Sequence, residues 1–194
     1  QREYNYDMER LNSASVWCKE NGKKICLLAN SGCLNFCSAQ IFHDNLVSHL
    51  SEIEMEKNCM TFDPVLCRRH YQQHGNGASF LKNSSWIRPE DVKHYEGIVP
   101  LMKLATRTHE NPRGVIHAYS EGRFTGNLFD LTEPGYGRFF KGYVLDNTLF
   151  PNDYWDIHAK KCTHNCKTCG YCDRVIIKSL IPCEPLENSG AFQV

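Results

Sequence analysis

Three short apolar runs alternate with stretches of helical periodicity, and that order limits the folds open to the chain. KICLLAN (24–30), FLKNSSWI (80–87) and VPLMKLATR (99–107) each read as a strand. The run at 24–30 is short and continuously apolar, which suits a strand buried on both faces. Between them, Ala39, Phe42, Leu46 and Leu50 mark one face of a helix over about 38–50. Arg88-Pro89-Glu90-Asp91 opens another, with proline at the first helical position and two acids in the first turn. A third runs from about Pro112 to Glu121, and Gly122 ends it. Strand and helix therefore alternate three times, which predicts parallel strands joined by crossover helices. An eight-stranded barrel needs ~250 residues, and this chain has 194. The expected fold class is α/β: a small open sheet or a partial TIM-like (β/α) barrel over residues 1–150, followed by a Cys-rich, irregular tail over 151–194.

Other segments complete that outline. Met8, Leu11 and Ala14–Ser15 predict a first helix that stops at Asn21-Gly22. Residues 51–79 lack periodicity and read as a long loop with one helical turn, a length that usually carries function. From residue 123 onward glycine, proline and aromatics dominate, and regular structure is hard to read.

Composition narrows the function. Lys+Arg and Asp+Glu are both 22, so the chain has no bulk electrostatic footprint for nucleic acid. No apolar run approaches the ~18–20 residues of a membrane span. The chain opens on Gln and not Met, which fits a piece of a longer protein; no signal peptide is visible. Eleven cysteines are many for a chain with enough apolar residues to build a core without staples. The expectation is a reducing, cytoplasmic setting in which thiols bind metal.

The tail KCTHNCKTCGYC carries Cys162, Cys166, Cys169 and Cys172 at C-x3-C-x2-C-x2-C spacing. Cysteines so close rarely reach the separation and dihedral of a disulfide. Structural zinc usually draws its ligands from two separated knuckles. A [4Fe–4S] cubane is larger, and a short loop can wrap it. The readings are an iron–sulfur cluster, zinc at these C-terminal cysteines, or unligated redox thiols. The first three also match the C-x3-C-x2-C of radical S-adenosylmethionine enzymes, but Cys172 is placed to fill the position those enzymes keep open.

Cys33 and Cys37 follow the first strand in SGCLNFC. Ligands collect at the C-terminal ends of strands in parallel α/β folds. Gly32 suggests a backbone conformation other residues resist. The pair can share a metal or sit as buried small side chains. Further donors would come from Cys67 or Cys59, and His43 lies six residues after Cys37. His70 and His74 read as solvated loop residues. Trp86 reads as core. Trp86, Arg88, Lys103 and Arg107 fall near strand ends and are candidates for holding an anionic substrate.

Taken in order, SGCLNFCSAQIFHDNLVSH, SSWIRPEDVKHYEGI, MKLATRT, AYSEGRFTGNLFDL and the Cys-rich tail resemble the peptidase U32 family, from about Tyr6 to Cys172. The match is to a branch with an N-x-G-C-L-x-x-C turn and a W-I-R-P-E-D helix start. Ser31 and Ser38 stand where that branch commonly has Glu and Pro. The resemblance implies the C-terminal half of a TIM-like barrel plus tail. It implies a [4Fe–4S] cluster on Cys33 and Cys37, with Cys67 as third ligand and Cys59 as the fallback. The partner it implies is the missing N-terminal half or a second U32-type subunit. It further implies oxygen-independent hydroxylation of RNA bases or a small aromatic substrate; other members are described as collagenase-like proteases. The candidate catalytic residues are His43 and Arg107. No G-x-S-x-G or H-E-x-x-H is present, and Cys33 cannot both ligate iron and act as a free nucleophile. A third reading is a non-catalytic module stapled by the tail metal.

Overall fold

The computed structural model describes residues 2–52, 66–73, 77–107, 109–133, 135–138, 140 and 142–183. Cys59 and His74 lie outside the described residues, as does the middle of the loop predicted over 51–79.

Helix α1 (Met8–Glu20) starts where Asp7 accepts a hydrogen bond from the Arg10 amide at 3.0 Å. Its Leu11 and Ser15 face inward one turn apart, and Ser15 Oγ donates to the Ile98 carbonyl at 2.7 Å. Strand β1 (Cys26–Leu28) follows, then α2 (Gln40–Glu52), α3 (Leu66–Gln72) and α4 (Ser79–Asn83). Pro89–Tyr95 is a 3-10 helix, with Pro89 at its start as predicted. Strand β2 (Leu101–Lys103) leads to α5 (Pro112–Glu121). Asn111 caps α5 by accepting from the Gly114 amide at 2.9 Å, and Gly122 ends it at φ 61°. Strand β3 (Tyr143–Leu145), α6 (Tyr154–Asp156), α7 (Cys166–Cys169), α8 (Tyr171–Ser179) and β4 (Leu180–Pro182) complete the chain.

β1 and β2 pair in parallel, with Cys26, Leu27 and Leu28 opposite Leu101, Met102 and Lys103. β3 and β4 pair antiparallel. The molecule is thus mixed α/β with many helices and short strands, and the described residues close no barrel. Among them no helix is long and apolar enough to cross a membrane.

Four readings of local structure change. The tail over 151–194, expected to be irregular, carries α6, α7, α8 and β4. Residues 80–87 are not one strand. Phe80 and Leu81 are both fully buried, which a strand's alternation cannot give to neighbours packed on one side, and they sit on α4. Only the stretch after Asn83 is extended, and there the Ile87 amide donates to the Ala29 carbonyl at 2.7 Å, beside the end of β1. The run at 99–107 is strand for three residues, and Leu101 is 48% exposed. Of the face drawn through Ala39, Phe42, Leu46 and Leu50, Phe42 is 56% exposed on α2.

The core is aromatic. Trp86 stacks on Phe80 with centroids 5.3 Å apart, and Phe129 stacks on Phe140 at 4.4 Å. Each such pair is worth ~0.5–1.5 kcal/mol beyond burial. Tyr154, Val175, Ile176 and Leu180 belong to this same cluster, so residues after 150 bury their apolar side chains with those before. Under it, Arg88 and Asp91 form a bidentate pair at 3.1 Å for both contacts, 3% and 2% exposed. Burial pushes the Asp91 carboxyl above its usual range, and Arg88 pulls against it.

Candidate functional site

The end of β1 is held open by side-chain ties to three other segments. Asn30 is fully buried; its amide donates to the Ala105 and Leu131 carbonyls at 2.8 and 3.1 Å, and its Oδ1 accepts from the Ala105 amide at 2.7 Å. The Asn30 carbonyl accepts from the Glu133 amide at 2.9 Å. One asparagine therefore joins the ends of β1 and β2 to the turn after Leu128. Gly32 has a different role from the one its sequence context suggests. Its φ is not in the left-handed region. A β-carbon there would overlap the Tyr136 ring, whose hydroxyl donates to the Gly32 carbonyl. The glycine is needed for close approach, not for a turn.

Tyr136 in turn brings the thiols together. Its ring meets Tyr71 edge-on with centroids 5.1 Å apart, and it acts on the Cys67 thiol. Cys67 sits on α3, and Cys33 and Cys37 both act on it electrostatically. The three predicted cofactor ligands thus share one neighbourhood at a strand end. All three are half-buried, and they and the other described cysteines are free of disulfides. Burial pushes the Cys67 thiol up to about 11 and raises Cys33 as well; Arg2 and a hydrogen bond with Ser31 oppose the shift at Cys33. Among the described residues, no three His, Cys, Asp or Glu stand close enough to grip one ion as they are.

Other candidates divide. Trp86 is core. Arg88 is consumed by Asp91. Lys103 lines an open cleft of about 440 Å³ along β1, together with Arg2, Glu3, Asn5 and Gln40. Arg107 is exposed in the turn after β2. His43 is half-buried on α2 and is not among the groups acting most strongly on Cys33, which are Arg2, Ser31, Asp44 and Cys37.

In the tail, α7 and the start of α8 bring Cys162 and Cys166 to act on Cys172, whose thiol burial drives up to about 12. Cys169 is exposed. Sequence reasoning missed His158. Its Nε2 lies 3.5 Å from Cys172 Sγ, and burial lowers its pKa to about 4. Only the fold of the π-helical turn at Ile157–Lys161 could reveal it, since nothing in the spacing ties residue 158 to residue 172.

No family model matches the chain, and no solved structure matches it. Among curated proteins it is similar to one named uncharacterized protease MJ1657 of Methanocaldococcus jannaschii, 32% identical over 164 residues. That alignment takes in 81% of this chain but 46% of the relative, so the chain spans about half the length of that protein.

Proposed function

We propose that the chain is the C-terminal part of a U32-type, TIM-like barrel protein whose Cys33, Cys37 and Cys67 hold a [4Fe–4S] cluster for redox chemistry. The observation that carries this reading is the gathering of three thiols from two distant segments around Tyr71 and Tyr136. The donor set fits: three sulfurs suit an iron–sulfur centre better than hard cations. When bound, such a cluster supplies electron transfer or a Lewis-acidic iron. The chain's own residues supply the surroundings. Tyr136 orients Cys67, Asn30 keeps the strand end in register, and Arg2 and Lys103 give the adjoining cleft cations for an anionic substrate such as RNA or a small aromatic acid. Oxygen-independent hydroxylation is the reaction class we favour, with the remaining barrel half as partner and the cytoplasm as location.

The relative's printed name favours a second reading, a peptidase. A thiol mechanism at Cys33 and a cluster there exclude each other, because a cysteine bound to iron is not free to attack. The test is iron and acid-labile sulfide on anaerobically purified protein, with a visible spectrum and a peptidase assay, for wild type and the Cys33→Ala/Cys37→Ala chain. Iron and sulfide lost in the double variant support the cluster. Metal-free protein that cleaves peptides, and stops doing so in the variant, overturns it.

A further inference from the structure

The tail motif offers four cysteines, but the fold does not present them equally. Cys172 is half-buried at the start of α8, and the thiols of Cys166 and Cys162 act on it. Cys169 is exposed at the end of α7, where its backbone carbonyl accepts a hydrogen bond from Arg174 Nη1 at 3.2 Å. The inward position beside Cys172 is taken by an imidazole. His158 Nε2 stands 3.5 Å from Cys172 Sγ. A thiolate ~2.3 Å and an imidazole nitrogen ~2.0–2.1 Å from one tetrahedral zinc are themselves about 3.5 Å apart. The two donor atoms are therefore already at ligand-to-ligand separation, while Cys162 and Cys166 have to close in to share the ion, since no three donors among the described residues stand close enough for one as they are.

The histidine is also fixed in place. Its ring lies against Tyr154 with centroids 4.1 Å apart and against Tyr6 at 5.4 Å. Tyr6 is anchored through its hydroxyl to the Trp86 carbonyl at 2.8 Å. The backbone at Ile157–Lys161 is a π-helical turn, a rare widening that tends to mark functional sites. Placing His158 this way brings a residue from outside the Cys-rich motif to its innermost cysteine.

We propose that the tail is a Cys₃His zinc site formed by Cys162, Cys166, Cys172 and His158, with Cys169 left outside it. The inference rests on the reading of the tail thiols as metal ligands and is independent of any cluster at β1. Four protein ligands close a tetrahedral site, so its role is structural: it ties the loop before α7 to the start of α8 and to the π-helical turn. The site does not require Cys169, because His158 supplies the fourth donor from the π-helical turn that precedes the cysteine run.

The experiment is metal binding to the full chain, with zinc content after purification and Co(II) titration followed by absorption. Wild type, Cys169→Ser, His158→Ala and His158→Cys are compared, each also in a Cys33→Ala/Cys37→Ala background so that binding at β1 is counted separately. Expected are full zinc and unchanged Co(II) affinity in Cys169→Ser. His158→Ala should weaken Co(II) binding by more than about tenfold. His158→Cys should restore binding and add one thiolate's sulfur-to-cobalt absorption, which a histidine acting only in packing would not do. If Cys169→Ser loses the tail metal while His158→Ala keeps it, the donor set is wrong although the tail binds metal. If no variant nor wild type binds metal at the tail, or iron and sulfide there depend on Cys169, the proposal falls together with its premise or with its choice of zinc.

Discussion

At the end of β1, Cys33 and Cys37 come within electrostatic reach of Cys67 only because the chain folds back on itself; in the tail, Cys162, Cys166 and Cys172 come within reach of one another inside one turn-and-helix segment. The first group is held by ties of long sequence separation: Asn30 to Ala105 and Leu131, and Tyr136 to Gly32. The second is held by local geometry, with Gly170 at φ 61° turning α7 into α8. The difference teaches where each site is vulnerable. A strand-end site assembled from afar fails when a distant support is removed. A local loop is most sensitive to its own turn and its own donors.

The largest test removes a support the two regions share. Arg88 lies under the aromatic core, over the Phe150 ring, and acts on Tyr154 beside the tail. Arg88→Ala strands the Asp91 carboxylate in the interior, a loss of about 3–5 kcal/mol. Urea denaturation should show the whole drop in one transition; separate transitions for the tail and the rest would break the picture of one shared core.

A smaller effect separates the regions. Gly32→Ala drives a methyl into the Tyr136 ring and should cost about 1–3 kcal/mol by overpacking. The more telling readout is metal: binding at Cys33, Cys37 and Cys67 should weaken while zinc at the tail is retained. Equal loss at both would mean that the strand end and the tail are not supported independently.

The smallest change is in the tail. Gly170→Ala places a β-carbon in the left-handed region, a cost of roughly 1–2 kcal/mol, and the nearest atom it meets is the flexible end of Arg174. Stability measured by urea should fall by that amount in metal-free protein, and tail metal affinity should fall with it, leaving the strand-end thiols unchanged. A loss above the Arg88→Ala value would contradict the local character assigned to the tail.

Much of this was legible in residue order. Helix α1 begins at an Asp cap and ends at Asn-Gly, and α5 lies between Asn111-Pro112 and Gly122; caps and breakers act over three or four residues, so sequence exposes them. The Leu27 strand and its parallel partner were also visible as apolar runs. The 80–87 stretch misled because a short apolar run fits a buried helix turn as well as a strand. The face through Phe42 misled because amphipathic spacing says which residues line up and not whether anything covers them.

The sites divide along the same line. By itself the sequence determined which thiols exist, that Cys33–Cys37 follows a strand, and that four cysteines crowd one short tail, since these are facts of spacing. The tertiary structure alone decided that Cys67 faces the strand-end pair, that Gly32 yields space to Tyr136, and that His158 stands beside Cys172. Those relations span 14 residues at the tail and more elsewhere, and they are chosen by burial of the aromatic core and satisfaction of buried polar groups. No local pattern encodes either of these.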